Sequence, residues 1–565
     1  MGSRLAGKHF SFHGGLLVIL CALALAGCSR APSPPDAALR SFSADALMKH
    51  IRILSSDEFE GRGPASKGEQ LTVRYLEDQF RGMGLEPGNP DGTYVQKVPL
   101  VGITPDPNMK LAFSARGRTL EPKFQNDFVA WTKRVVDTAT IDAEMIFVGY
   151  GVQAPEFQWD DFKGTDVKGK VIVVLINDPP VPDEKVFGGK AMTYYGRWTY
   201  KFEKAAELGA AGCFIIHNTE RAGYPWEVVR NSWGAEQFDL FTPDKNMGRA
   251  AIEGWITGEQ AAALLKLAGK NLATLVQSAV DRNFRPVPLG VRARLTIHNT
   301  LRKVDSRNVV ARLTGSDPKL RDECVIYVAH WDHFGIGPEV NGEKIYHGAR
   351  DNASGTAALV EMARAFKQLQ IPPRRSLLFL AVTAEEQGLL GSRYYAEHPL
   401  YPLARTAAVI NMDALNVWGR TRDIVMIGRG SSTLDDIVEN VAREQGRAVK
   451  GDPEPEKGYF YRSDHFSFAK EGVPAFDPDE GIEYMGKPEG WGLEVRRRYT
   501  QEDYHKPSDK IKDYWDLSGM AEDCQLYFLV GYRVANADQV PEWKPGAEFK
   551  AKRDASLRGA APASR

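Results

Sequence analysis

At 565 residues, with 43% hydrophobic and 26% charged side chains, the chain has material for roughly two to four globular domains with cores of their own. Lysine plus arginine (72) nearly balance aspartate plus glutamate (73), so no charge excess points to nucleic acid or to a strongly anionic surface as partner. Five cysteines without a CxxC pair argue against a disulfide framework or a thiolate metal site.

Arg4 and Lys8 precede an apolar stretch from Leu16 to Ala26, short of the ~20 residues that span a bilayer, and this reads as a signal peptide. The stretch ends in LAGC, Leu25 to Cys28, which resembles the lipobox of bacterial lipoproteins. That resemblance implies a signal over residues 1–28, acylation of Cys28, and an exported lipoprotein of the cell envelope, anchored in a membrane and facing the periplasm or the exterior. The Pro- and Ser-rich run that follows suits a flexible tether over 29–45. Cys213, Cys324 and Cys524 remain in the body and read as small buried apolar residues.

Two helical patterns follow, SADALMKHIRILSS and GEQLTVRYLEDQFRGMGL, with apolar residues at three-to-four spacing and the Gly-rich loop DEFEGRGPASKG between them. Residues 93 to about 135 read as short strands and turns, completing an N-terminal part of the main domain over 46–135. From 136 to 287 the runs EMIFVGYGV, GKVIVVLIND and GAAGCFIIHN read as glycine-bounded strands, with KFEKAAELGA as a helix feeding the last. This passage resembles the protease-associated domain that is inserted in some peptidases and receptors.

The main body is expected to resume at 288, where PLGVRARLTIHN alternates apolar and polar, and to run to 540. Strand and helix patterns then alternate through CVIYVAH, SGTAALVEMARAFKQLQ, SLLFLAVTAEE, GLLGSRYYAEHP and TAAVINMDA. That order predicts an α/β fold, a mixed, largely parallel sheet flanked by helices, with ligands gathering at the carboxyl ends of strands. Residues 541–565 read as a disordered tail.

Acidic and histidine side chains collect at those strand ends. His330 and Asp332 are one residue apart in HWDHFG, a spacing that places both on one side of an extended segment. Asp351 precedes the helix pattern of Leu359, Met362, Ala363 and Phe366, where it or Asn352 could equally cap the helix. Glu385 and Glu386 follow one strand, Asp413 another, and His505 lies late in YHKPSDK after Tyr504, a place where a surface histidine is also unremarkable. Together the nitrogen and oxygen donors form a ligand set suited to zinc.

The ordered motifs AHWDHFG, GARDNASGTAALVE, TAEEQGLLGS, NMDA and YHKPSD resemble those of the zinc-dependent M28 metallopeptidases, and YRSDHFSFAKEGVPA resembles a further block of the bacterial members. The resemblance implies a zinc exopeptidase fold with two Zn²⁺ per subunit: His330 and Asp413 on one ion, Glu386 and His505 on the other, and Asp351 bridging. It makes Glu385 the general base, Asp332 the residue that orients His330, and Tyr504 a stabiliser of the oxyanion. It gives His333, His347 and His465 no metal role. The implied activity is removal of terminal residues from peptides, as an aminopeptidase. A carboxypeptidase for acidic termini, a glutaminyl cyclase-like transferase and a receptor-like binding protein are the alternatives on the same scaffold.

Overall fold

The computed structural model describes residues 35–560 apart from 182 and 184. The signal and lipobox expectations therefore lie outside the described residues. Among those described, no helix is long and apolar enough to cross a membrane.

Ser376–Val382, Cys324–His330, Thr406–Asn411 and Ala475–Asp479 lie side by side as parallel strands. The first three are buried along their whole length, which is why they appear in the sequence as continuous apolar runs rather than alternations. Antiparallel strands extend this centre on both sides. Val95–Pro105 pairs with residues 299–309 of the long strand Val287–Leu313, whose end pairs with Ser376–Val382; on the far edge Asp423–Ile427 pairs with Ala475–Asp479. The sheet is mixed with a parallel core, as the alternation of strand and helix patterns implies.

Helices cover both faces. On one, Ala44–Leu54, Gly355–Lys367 and Ser518–Asn536 bury Leu47, Ile51, Phe366 and Phe528 against Tyr327 and Phe379. Ser43 caps the first of these, its hydroxyl accepting from Ala46 N–H at 3.2 Å. On the other face, Leu390–Glu397 and His465–Lys470 contribute Tyr395 and Phe468 to a cluster with Ile326, Leu378 and Val409. Cys213, Cys324 and Cys524 are buried free thiols, as expected.

A second sheet runs through Arg118–Leu120, Ala112–Ala115, the first part of Val287–Leu313, Thr138–Phe147, Val171–Leu175, Gly212–Ile216, Ile252–Ile256 and Phe128–Trp131. The expected boundaries at 136 and 288 are both corrected. Residues 112–131 already belong to this sheet, and residues 287–298 pair with Thr138–Phe147 before the same strand crosses into the main sheet at Asn299. Burial alternates from Leu289 through Arg302 and breaks only at Lys303, beyond the crossing at Asn299, so the alternation carries no mark at the crossing itself. Gln237–Leu240, from within the expected insert, pairs with Val95–Pro105 of the main sheet.

Two further expectations fail at the ends. Ala38 and Phe42, assigned to the tether, are buried, with the Phe42 ring 6.0 Å from that of Phe528. The disordered tail is replaced, as far as 560, by packed structure. Trp543 and Phe549 are buried beside Phe466, and the helix Lys550–Ala560 inserts Arg553, which donates to the carbonyls of Leu403 and Thr406 at 3.0 and 2.9 Å. Two aromatic anchors and one guanidinium offset a composition that otherwise reads as solvated.

Arg62, in the Gly-rich loop between the first helices, is fully buried. Its guanidinium donates to four carbonyls, those of Leu54, Trp331, His347 and Gly348, at 2.7 to 2.8 Å. The loop fits because Gly61 adopts φ +67°, and a Cβ there would lie 2.2 Å from the Tyr346 carbonyl oxygen. Arg62→Met leaves those four acceptors buried without a donor. It is expected to cost about 3–5 kcal/mol, read as a lower urea midpoint at unchanged slope.

Candidate metal centre

Four of the five predicted ligands, and Glu385, sit where a parallel strand ends or just before a helix. His330 closes Cys324–His330, Glu385 and Glu386 follow Ser376–Val382, Asp413 follows Thr406–Asn411, and Asp351 precedes Gly355–Lys367. His505 comes from the loop after Trp491–Glu502. Ala384, Ala414 and His505 have φ of 52°, 50° and 56°, left-handed conformations that turn the chain sharply beside Glu385, beside Asp413 and at His505.

The side chains converge on Asp351. His330 Nε2 lies 3.3 Å from Asp351 Oδ1 and 3.0 Å from Asp413 Oδ1. His505 Nε2 lies 3.4 Å from Asp351 Oδ2 and 3.1 Å from Glu386 Oε2. One imidazole and one further carboxylate thus gather at each oxygen of Asp351, and donor atoms of His330, Asp351 and Glu386 fall within 4.8 Å of one another. The helix-cap alternative falls to Asn352, whose Oδ1 accepts from Gly355 N–H at 2.8 Å and Ala414 N–H at 3.1 Å. Asp351 is left free to face the histidines.

The paired glutamates are inequivalent. Glu386 accepts from His333 Nδ1 at 2.5 Å and faces His505; burial alone would raise it, but His505 and His333 hold it down at about 2. Burial, with Glu386 and Asp413 close by, pushes Glu385 well above the ordinary carboxylate range. Against the opposing effect of burial, Glu386 and Asp351 hold His505 up at about 9. Buried carboxylates and imidazoles packed this closely need positive charge among them, whether protons or metal ions. Histidine nitrogen and carboxylate oxygen without thiolate is a donor set that fits zinc.

Asp332 does not hold His330 through its carboxylate. His330 Nδ1 meets the Asp332 backbone carbonyl at 3.2 Å, with Oδ1 at 3.8 Å. Oδ1 instead accepts from Glu385 N–H at 3.1 Å, and burial pushes the carboxyl up to about 8. Tyr504 stacks its ring on His505 at 3.7 Å, and burial raises its hydroxyl well above the usual phenol range. His347 pairs with Asp57 at 2.8 Å, and His465, whose Nδ1 lies 3.5 Å from Asp477 Oδ2, makes no ring hydrogen bond among the described residues.

Two supporting residues lie inside motifs named above, Ser463 in YRSDHFSFAKEGVPA and Asp509 in YHKPSD, without a role assigned to them there. Ser463 donates to Asp413 Oδ2 at 2.6 Å and accepts from Asn411 Nδ2 at 2.7 Å. Asp509 accepts from the backbone N–H groups of Arg350 and Asp351, both at 3.1 Å, fixing the segment that presents Asp351.

Residues 308–529 match the model of peptidase family M28. The matched span contains every residue of the cluster from His330 to His505. The chain is 37% identical over 132 residues to aminopeptidase NAALADL1 of Mus musculus, covering 22% of this chain and 16% of the relative. It is 26% identical over 365 residues to a glutamate carboxypeptidase 2 homolog of Caenorhabditis briggsae, covering 56% of this chain and 42% of the relative. The chain thus spans less than half of either relative's length. Among solved structures, an aminopeptidase from Aneurinibacillus sp. strain AM-1 superposes with a TM-score of 0.54 at 20% identity, covering 90% of this chain and 97% of the other, which establishes a shared fold.

The convergence on Asp351 generates a test. Wild-type protein loaded with zinc is expected to hold two ions per chain by elemental analysis, and Asp351→Ala fewer than one. A chelator should lower the melting temperature of the loaded wild type, because a ligand that binds the folded state alone stabilises it. Two ions retained by Asp351→Ala would remove the bridging role.

Proposed function

We propose that the chain is a zinc-dependent exopeptidase, an aminopeptidase that removes terminal residues from peptides, and that residues 1–28 direct it to the cell envelope with a lipid anchor on Cys28. The second sheet is proposed as a protease-associated module beside the site. The observation that carries the catalytic reading is Glu385. It is buried, 4.0 Å from His330 Nε2, and its carboxylate accepts no hydrogen bond among the described residues while Glu386 next to it is engaged by two histidines.

Two zinc ions held by His330, Asp413, Asp351, Glu386 and His505 would supply Lewis acidity at a peptide carbonyl and acidify an attacking water. Glu385, its proton affinity raised by burial, takes the proton from that water and returns it to the leaving amine. Asp332 steadies this base through its backbone N–H. Tyr504, kept protonated by its burial and stacked on His505, would donate to the oxygen that gains charge.

Two measurements test the reading. Cleavage of a mixed peptide library, with products assigned by mass, should show trimming from the amino terminus that stops on adding a zinc chelator; trimming from the carboxyl terminus would replace the aminopeptidase with a carboxypeptidase. Glu385→Gln should keep its zinc content and lose about 10² to 10⁴ in kcat. Wild-type turnover in that variant would remove Glu385 from the chemistry.

A further inference from the structure

The two histidines of the centre are supported from different parts of the chain. His330 Nδ1 meets a carbonyl of its own loop, that of Asp332. His505 Nδ1 lies 3.4 Å from the Ser232 hydroxyl, and among the described residues it has no other hydrogen-bond partner. Ser232 stands 273 positions earlier, in the last turn of the helix Trp226–Trp233. That helix packs Val228 and Val229 against Trp131 and Trp255 of the second sheet. Ser232 is buried. A serine within a helix commonly turns its hydroxyl back to a carbonyl of the preceding turn; among the described residues this one bonds the imidazole instead.

The neighbours of Ser232 fix its place. Trp233 stacks on Trp131 with ring centroids 5.2 Å apart and meets Trp198 edge-on at 5.1 Å. Gln237 Nε2 donates to the Ser232 carbonyl at 2.8 Å, and its strand, Gln237–Leu240, is paired with Val95–Pro105 of the main sheet. One residue on, Phe238 N–H donates at 3.1 Å to Oε1 of Gln387, which directly follows Glu386. Tyr504 packs on the same apolar cluster as Trp233. The short segment 232–238 thus reaches both His505, through its ring, and Glu386, through the adjoining residue. His330 and Asp413 are braced instead by Asp332 and Ser463, within the main body.

His505 needs such a brace, because it stands in a loop at φ 56°, a sparsely populated conformation for a residue with a Cβ. Its Nε2 is turned to Asp351 and Glu386, so a neutral ring can offer that nitrogen to an ion only with its proton on Nδ1. An acceptor at Nδ1 selects that tautomer and fixes the ring plane. We infer that Ser232 is a positioning residue for His505, through which the second-sheet region supports the zinc ion of Glu386 and His505 and not that of His330 and Asp413. The inference rests on the zinc reading of the centre and goes beyond it: one ion depends on a residue outside the main body, and the other does not.

The test titrates zinc out of the loaded, full-length protein with a chromophoric chelator. Wild type is expected to give up two ions. In Ser232→Ala one ion should be held about tenfold to a hundredfold more weakly, the usual loss when the outer partner of a metal-bound histidine is removed, and the other as in wild type. Ser232→Thr, which keeps the hydroxyl, should restore the affinity; Ser232→Val, with the shape of threonine and no hydroxyl, should not. Wild-type release from Ser232→Ala, equal weakening of both ions, or the same affinities in the Thr and Val variants would each overturn the positioning role. If the wild-type chain takes up no zinc, the zinc reading fails and hydrogen exchange of the metal-free protein over residues 503–510 decides the role of Ser232. Faster exchange in Ser232→Ala and Ser232→Val than in wild type and Ser232→Thr upholds it; equal exchange in all four overturns it.

Discussion

The acidic groups at the ends of the parallel strands set the terms for the rest of the structure. Asp351, Glu386, Asp413 and Glu385 are gathered where burial disfavours their charge, and two imidazoles turn their Nε2 atoms into the same space. Such a centre holds together only with cations in it, and the surrounding side chains are arranged to keep its members apart from competing partners. Asn352 takes the cap position that would otherwise occupy Asp351. Ser463 takes one oxygen of Asp413 and leaves the other toward His330. His333 takes one oxygen of Glu386 and leaves the other toward His505.

Much of this was legible in the sequence, for a physical reason. A strand buried on both faces has to be apolar throughout, so an aspartate, glutamate or histidine at its end stands out, as His330, Glu385 and Asp413 do. What was not legible is what depends on contacts distant in the chain. Arg62 reads as a surface charge in a Gly-rich loop until its four carbonyl acceptors are seen. Asp332 was assigned to His330 from a spacing of two residues, and the backbone carbonyl at the same residue proved the nearer acceptor.

The domain boundaries were misread for a related reason. Alternation identifies a strand and says nothing about which sheet its two edges join. Val287–Leu313 goes on alternating across Asn299, where its partners change from Thr138–Phe147 to Val95–Pro105. The carboxyl-terminal segment shows the opposite failure: its composition suggests solvation, yet Trp543, Phe549 and Arg553 suffice to dock it.

Arg62 carries a consequence for what counts as a self-sufficient piece of this chain. The span that matches the peptidase model begins at 308, but the carbonyls of Trp331, His347 and Gly348, in the loops flanking His330 and Asp351, are satisfied by a residue almost 250 positions before that point. The sheet edge beside it is completed by Val95–Pro105. The segment that looks like an enzyme is therefore not an autonomous folding unit. Excised at its family limits it would present bare acceptors and an open strand edge.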